Sequence, residues 1–153
     1  MPVLRETHAV AHSAQEMFDL VADVERYPEF VPLCDDLQIL RRTATGEGTE
    51  TLVARMRVGY KAISETFTSR VELDRAKLEI RVEYVDGPFR HLVNRWSFRE
   101  AKSGKGSEVD FFIDYEFRSI ALRLLMGQLF DKAFRRFVSA FEARADAVYG
   151  ASA

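Results

Sequence analysis

The feature that most constrains the fold is an apolar periodicity that runs from Ser119 to Tyr149. Apolar side chains recur there at steps of three and four residues, which places them on one face of a helix. Without an internal proline, such a helix would be about 45 Å long, which is more than the core of one small domain requires. We therefore expect part of this face to line something other than protein; the alternative is that all of it is core. The apolar members are Leu122, Leu125, Met126, Leu129, Phe130, Ala133, Phe134, Phe137, Phe141, Ala145 and Val148.

The length of 153 residues fits one domain with a sizeable core. We expect this single domain to cover residues 1–150, with residues 151–153 as a loose tail. A content of 47% hydrophobic and 30% charged residues is typical of a soluble globular protein, and the net charge of −2 does not favour binding to DNA. The single cysteine, the lack of an apolar run of about 20 residues and the lack of a signal-peptide core predict a cytoplasmic protein.

The first part of the chain predicts one strand and two short helices. Residues Val3 to His12 are rich in threonine, alanine and valine, which is typical of a strand. Ser13 and Glu16 have the spacing of a capping box, so a helix should begin there. Pro28 and Pro32 end the helical pattern and favour a short turn of helix between two stiff corners.

From Leu37 onward the apolar period changes to two, which predicts consecutive antiparallel strands with one dry face. Short breaks rich in glycine, aspartate and proline separate the strands as hairpin connections. The fold class predicted from this order is α+β: a curved antiparallel sheet of about six or seven strands around the long C-terminal helix. The volume between sheet and helix is the expected place for a ligand. The predicted dry face holds Leu52, Ala54, Met56, Val58, Tyr60, Leu78, Ile80, Val82, Tyr84, Leu92, Asn94, Trp96, Phe98, Val109, Phe111, Ile113, Tyr115 and Phe117.

Polar side chains on this dry face are the most informative candidates for a site. Tyr60, Tyr84, Asn94 and Tyr115 alternate onto the same interior as Trp96 and the phenylalanines of the last helix. Buried hydroxyl and amide groups need hydrogen-bond partners, which are either protein groups or the polar end of a ligand. Both remain open at this point. Together these residues predict an apolar cavity with a few polar anchors.

Signals for catalysis or metal binding are weak. His8, His12 and His91 have no local nucleophile partner, and His8 and His12 would lie about 13 Å apart in a strand, too far to share a metal. Cys34 has no neighbouring basic residue that would lower the pKa of its thiol, so we interpret it as a small buried hydrophobic residue. We predict no catalytic residue and no metal site.

Two motifs carry a resemblance to a known family. The first runs from His12 to Cys34 and includes Tyr27-Pro28-Glu29-Phe30-Val31-Pro32; the second is Gly87-Pro88-Phe89 followed by Leu92, Asn94 and Trp96-Ser97-Phe98. Both resemble signatures of the coenzyme Q-binding proteins of the START-like (polyketide cyclase/dehydrase) superfamily, whose bacterial members include ribosome association toxins. Leu33 departs from the pattern, since many relatives have Trp there, and a smaller residue could widen the entrance to a cavity.

The resemblance implies a helix-grip fold with a hydrophobic tunnel, ubiquinone or a related isoprenoid lipid as the bound ligand, and a role in respiratory quinone function. No further cofactor is implied. We expect Leu125, Leu129, Phe130, Phe134 and Phe137 to line the tunnel, and Tyr84, Asn94 and Tyr115 to meet a quinone ring. The residues placed at the cavity mouth are Tyr27, Pro28, Phe30, Val31, Pro32, Gly87, Pro88 and Phe89.

Three functions compete at this stage. The first is a non-enzymatic carrier of a hydrophobic ligand, with peripheral contact at the inner membrane. The second, also implied by the family, is a toxin that blocks association of ribosomal subunits; it would need a local basic patch such as Arg123, Lys132, Arg135 and Arg136. The third is a polyketide cyclase or aromatase, for which the predicted dry face offers tyrosines but no convincing carboxylate or histidine.

Overall fold

The structure is a computed structural model and describes residues 3–60 and 62–150. The strands are β1 (Val3–Val10), β2 (Cys34–Gly46), β3 (Thr49–Tyr60), β4 (Ile63–Asp74), β5 (Glu79–Asp86), β6 (Phe89–Glu100) and β7 (Ser107–Phe117). The helices are α1 (Ala14–Ala22), a 3-10 helix (Val24–Glu29), α2 (Ile120–Arg135) and α3 (Phe137–Tyr149). The predicted tail, residues 151–153, lies outside the described residues.

All seven strands form one antiparallel sheet in the order β1, β7, β6, β5, β4, β3, β2. Strands β2 to β7 follow one another as a meander, and β1 adds to the free edge of β7 with Val3 opposite Asp114. Register shifts at Cys34/Asp36, Ile39/Arg41 and Ala44/Gly46 interrupt the ladder between β2 and β3. Because such bulges bend a strand and increase its twist, the sheet curves. The predicted α+β class with a curved antiparallel sheet is confirmed.

The predicted capping box begins α1. Ser13 Oγ accepts a hydrogen bond from the Glu16 amide (3.1 Å), and the Ser13 amide donates to Glu16 Oε1 (3.0 Å). Two amides that have no partner inside the helix are thereby satisfied. The 3-10 helix that follows contains Pro28, so the prediction of two short helices after the first strand is also confirmed.

The C-terminal helix is interrupted, which corrects the prediction of one continuous helix. Arg136 lies between α2 and α3, and its amide donates to Ala133 O (3.1 Å) in a tighter turn than the α-helical pattern. The two helices also have different supports, since α2 packs on β7 and α3 packs on α1. Neither proline nor glycine marks this position in the sequence, and the apolar spacing continues across it.

The hydrophobic core lies between the inner face of the sheet and the helices. Strand β7 shows the alternation of buried and exposed side chains most clearly. Every second side chain from Ser107 to Phe117 is buried, and those between are partly exposed. On α3, Val138, Phe141 and Ala145 complete the core. Complete burial of one large apolar side chain stabilises the fold by about 1.5–3 kcal/mol. In the described part of the chain no helix is long and apolar enough to cross a bilayer.

Candidate ligand-binding cavity

An internal cavity of about 100 Å³ lies between the inner face of the sheet and the C-terminal helices. Strands β2 to β7 supply one wall, α2 and α3 the opposite wall, and the segment around Pro32 one end. Its lining residues are Val24, Tyr27, Pro32, Leu33, Leu37, Ala54, Met56, Val58, Phe67, Ser69, Val71, Ile80, Val82, Leu92, Asn94, Trp96, Ile113, Phe130, Ala133, Phe134, Phe137 and Phe141. The lining is therefore apolar almost throughout.

Aromatic rings hold the helix wall of the cavity in place. The ring of Phe141 lies edge-on to Trp96 at 5.2 Å between centroids, and Phe134 meets Phe137 in the same way at 5.1 Å. Phe130 continues the row, 5.9 Å from Phe134. Edge-to-face contacts of this kind add about 0.5–1.5 kcal/mol each to the effect of burial, so ring packing stabilises this wall.

Most polar groups in the lining already have partners in the protein. Asn94 Nδ2 donates to Phe112 O (2.9 Å), and Trp96 Nε1 donates to Asn94 Oδ1 (2.9 Å). The Tyr27 hydroxyl donates to Val21 O (2.5 Å). Burial raises the pKa of Tyr27 above its usual value, and the nearby Cys34 and Asp23 raise it further. Of the two alternatives for Asn94, the structure therefore shows the first: its amide is hydrogen-bonded to protein groups.

Ser69 is different. Its side chain is buried in the cavity wall, and Ser69 Oγ has no hydrogen-bond partner in the protein.

The chemistry available in the cavity is limited. Among the described residues that line it, none is Asp, Glu, His, Lys, Arg or Cys. Burial, with Asp35 and Asp36 nearby, raises the pKa of the Cys34 thiol to about 12, which opposes formation of a reactive thiolate. In residues 3–60 and 62–150 no cluster of three or more His, Cys, Asp or Glu side chains could hold a metal ion. The arrangement can enclose a neutral apolar group and offer it one hydroxyl.

Five of the ten side chains predicted for the cavity line it. Asn94 and Trp96 of β6 face Phe130, Phe134 and Phe137 of the C-terminal helices across it. The period-two and helical patterns therefore converge on one site, as predicted. A role of these side chains in ligand binding stays a prediction.

Tyr84 and Tyr115 lie on the inner face but not at the cavity, which corrects their predicted place. The Tyr84 hydroxyl accepts a hydrogen bond from the Phe89 amide (3.1 Å). Tyr115 packs against Phe134 at 5.0 Å between centroids, and burial raises the pKa of Tyr115 to about 12. Alternation predicts which face of a strand a side chain occupies, but not how far along the strand the cavity lies. Both tyrosines lie beyond the cavity, where β5 and β7 pack against the Phe89 ring.

Tyr60, Leu125 and Leu129 lie outside the cavity, which is a second correction. They border an open surface groove of about 510 Å³ with Ile63, Gln128 and Lys132. Tyr60 is 47% exposed and Leu125 is 61% exposed. Consecutive side chains on a helix point about 100° apart. Because Phe130 points into the cavity, Leu129 points to the side of the helix.

The groove and the cavity share a border. Pro32, Leu33 and Ala133 line both of them. Leu33 has a φ of 69°, in the left-handed region that a leucine rarely adopts, and Leu33 O accepts a hydrogen bond from the Gly59 amide (2.9 Å). The first family motif therefore reaches the boundary between the interior and the surface, and we call Pro32, Leu33 and Ala133 the portal.

The remaining residues of the first motif support this end of the molecule. Phe30 packs edge-on against Phe141 at 5.0 Å between centroids and beneath the Arg144 guanidinium. Val31 is buried in the core, and Pro28 lies within the 3-10 helix. Only Tyr27 and Pro32 of the predicted mouth residues line the cavity itself.

Leu92, Asn94 and Trp96 of the second motif line the cavity, but its Gly87-Pro88-Phe89 turn lies behind the cavity wall and not at the mouth. Phe89 packs against Phe67 at 5.7 Å and Phe130 at 5.6 Å between ring centroids, and both of those residues line the cavity. Gly87 has a φ of 145°, and a Cβ atom there would lie 2.4 Å from Phe67 Cβ. Pro88 is buried beside it. A glycine is required because the turn lies directly against the side chain of Phe67.

Strand β4 contributes lining residues that the sequence prediction missed. Phe67, Ser69 and Val71 line the cavity. The signal was present, since these positions alternate with Thr68 and Arg70 on the other face. Polar residues also occupy some inward-facing positions of β4, so the apolar alternation of this strand is incomplete and was not recognised.

Comparison with known proteins places the chain among relatives of two kinds. A family model described as polyketide cyclase/dehydrase and lipid transport matches residues 10–142. The Ribosome association toxin RatA of Escherichia coli (strain K12) is 36% identical, over 99% of this chain and 91% of that protein. The Coenzyme Q-binding protein COQ10 homolog B, mitochondrial, of Xenopus laevis is 30% identical, over 95% of this chain and 58% of that protein.

A solved structure shows the same fold in an enzyme. The Zhui aromatase/cyclase from Streptomyces sp. R1128 superposes with a TM-score of 0.78, over 95% of this chain and 93% of that one. The two sequences are 19% identical. At that level the likeness shows the fold alone.

Proposed function

Because the chain belongs to the polyketide cyclase/dehydrase and lipid transport family, we propose that it is a non-enzymatic carrier of a neutral hydrophobic ligand, ubiquinone or a related isoprenoid lipid. The proposal is supported above all by an apolar cavity and an open groove that are separated only by the portal residues. A relative that is 30% identical and named for coenzyme Q binding supports the ligand class. In this role the protein would hold the quinone for respiratory electron transfer.

The size of the cavity implies that loading requires movement. The cavity volume of about 100 Å³ is smaller than the roughly 300–1,000 Å³ enclosed by sites for drug-sized ligands. The groove outside the portal adds about 510 Å³. We expect the ring of the ligand to enlarge the cavity while its tail lies in the groove, with the portal displaced between them.

The lining supports binding over catalysis. Proton transfer in a cyclase needs a positioned acid or base, and the described lining offers only Tyr27, whose hydroxyl is held by Val21 O. The likeness to the Zhui aromatase/cyclase does not carry an activity to this chain at 19% identity. An enzyme is therefore not the function we propose.

Copurification tests the carrier. The protein is purified under native conditions, extracted with organic solvent and analysed by mass spectrometry for quinones and other neutral lipids. Ala133→Leu narrows the portal at a position that is 7% exposed, and Ala143→Leu places the same side chain on an exposed site of α3. We expect lipid with the wild type and Ala143→Leu and much less with Ala133→Leu. Lipid-free wild type from respiring cells would contradict the proposal.

A second candidate function is association with the ribosome, as in the name of the relative that is 36% identical. Of the candidate patch, Arg123, Lys132 and Arg135 are exposed on α2, and Arg136 is exposed directly after its last residue. Arg135 is paired with Asp131 (3.0 Å), so the other three are the ones to reverse. Cosedimentation with ribosomal subunits that is lost in Arg123→Glu/Lys132→Glu/Arg136→Glu would favour this function; wild type that stays in the supernatant would exclude it.

Peripheral contact with the inner membrane completes the carrier proposal. Ile120, Leu124 and Leu125 of α2 are 67%, 77% and 61% exposed, and Leu125 borders the groove together with Lys132 and Arg136. Exposed apolar and cationic side chains on one helix favour an anionic bilayer surface. Flotation with vesicles that contain anionic lipid should recover the wild type and lose Leu124→Glu/Leu125→Glu. Equal flotation of both proteins would contradict this contact.

A further inference from the structure

Ser69 lies in the wall of the cavity as a polar group without a partner. It is 6% exposed, and its hydroxyl makes no hydrogen bond within the protein. A buried hydroxyl without a partner is unfavourable, and native proteins retain few of them. A polar group of this kind inside an apolar cavity points to a partner that arrives with the ligand.

The other polar groups of the lining are already engaged. Asn94 is bonded to Phe112 O and Trp96, and Tyr27 is bonded to Val21 O. Among the described lining residues, Ser69 is therefore the hydroxyl that remains available to a ligand without breaking an existing hydrogen bond.

The sheet forms a recess at this serine. Ser69 pairs with Ala54 of β3, and both are small. The inward-facing pairs on either side are larger: Met56 with Phe67, and Leu52 with Val71. Ser69 Oγ itself has less than 1 Å² of accessible surface, so a ligand atom would reach the hydroxyl as the cavity enlarges, and the small pair leaves fewer side-chain atoms in its way.

A bulge lies beside the recess. Thr68 pairs with Asp86 and Ser69 with Tyr84, so Val85 is the extra residue in β5. Bulges bend a strand locally and change the direction of its side chains, often next to functional sites. The regular hydrogen-bond ladder between β4 and β5 is therefore interrupted directly at Ser69.

We infer that the Ser69 hydroxyl is the polar anchor of the ligand and that the cavity selects a neutral, largely hydrocarbon molecule with a carbonyl or hydroxyl oxygen at its buried end. This inference rests on the proposed carrier function. A serine hydroxyl can donate to a carbonyl and can accept from a hydroxyl. The lining contains no charged side chain, so a carboxylate or phosphate would be buried without compensation. A quinone and a long-chain alcohol both have the required chemistry, and a fatty acid anion does not.

The single tryptophan of the chain provides the assay. Trp96 lines the cavity, so a bound quinone should quench its fluorescence. Decyl-substituted benzoquinone is the probe, and 1-decanol, decanoate and undecane are tested as competitors. The variant is Ser69→Ala, and Ser64→Ala, on the exposed face of the same strand, is the matched control.

We expect Ser69→Ala to weaken quinone and decanol binding about tenfold, the effect of one lost hydrogen bond, and to leave undecane unchanged. Ser64→Ala should bind the quinone, decanol and undecane as the wild type does. Decanoate should compete poorly with the quinone for all three proteins. The carbonyl stretching band of the bound quinone should lie at lower frequency in the wild type than in Ser69→Ala, a shift that a merely structural role would not produce.

The outcomes separate the two claims. If the wild type binds the quinone and Ser69→Ala binds it equally well, or loses undecane to the same degree, the anchor is overturned while the carrier remains. If decanoate competes as well as decanol, the selection of a neutral ligand is overturned. If no probe binds the wild type, the carrier function fails and the anchor fails with it.

Discussion

The two C-terminal helices both bury an apolar face, but they differ in how many large apolar side chains they expose near their N-terminal halves. On α3, Phe141 is 1% exposed and Ala145 is fully buried, whereas on α2 Leu124 is 77% exposed and Leu125 is 61% exposed. The ring of Phe141 joins Tyr27 and Trp96 in one aromatic cluster. Both helices therefore complete the core and line the cavity, whereas α2 in addition carries large apolar side chains on the solvent side of its N-terminal half.

The largest effect should come from removing the anchor of α3. Phe141→Ala should lower the free energy of unfolding by about 3–5 kcal/mol, because it deletes a buried ring and leaves a cavity. Leu124→Ala, the matched change on α2, should alter it by less than about 0.5 kcal/mol, since that side chain contacts mainly solvent. Denaturant unfolding followed by circular dichroism measures both. Similar losses in the two variants would contradict this difference between the helices.

A smaller effect concerns pH at the portal end of the molecule. Burial raises the pKa of Cys34 from 9.0 to about 12, so the folded protein favours the neutral thiol. The resulting stabilisation is fully present below pH 9 and is lost as the pH rises towards 12. Across this window the wild type should lose stability more steeply than Cys34→Ala. Parallel profiles, measured as unfolding free energy against pH, would show that the thiol is not protected by burial.

The portal itself can be tested through a rate. Leu33→Gly removes a side chain of the portal and relieves the unfavourable backbone conformation of leucine at φ 69°. Quinone uptake should therefore become severalfold faster, as measured by stopped-flow quenching of Trp96 fluorescence. Leu78→Gly is the matched control, because Leu78 has a φ of 53° and lines neither the cavity nor the groove. Acceleration in both variants, or in neither, would place the route of entry elsewhere.

Local sequence patterns predicted the parts of the fold that local chemistry determines. The capping box of Ser13 and Glu16 begins a helix as expected, and period-two alternation places Asn94 and Trp96 on the inner face. The family motifs identified the correct superfamily. These features depend on residues a few positions apart.

Other features depend on contacts between distant segments, so no local pattern contained them. The break at Arg136 follows from the different supports of α2 and α3. Tyr115 and Tyr84 lie behind Phe89 because of how far along their strands they occur. Ser69 was missed because a serine between Phe67 and Val71 weakens the apolar alternation, although this polar exception is what makes the position informative.

If the cavity and the groove form one expandable ligand site, ligand entry through the portal should change the fluorescence of Trp96, which lines the cavity. Titration with decyl-substituted benzoquinone should quench the wild type and Ala143→Leu saturably and with equal affinity. Ala133→Leu, which fills the portal shared by cavity and groove, should bind about tenfold more weakly or not at all. Equal quenching of all three proteins, or no saturable quenching of the wild type, would contradict the account.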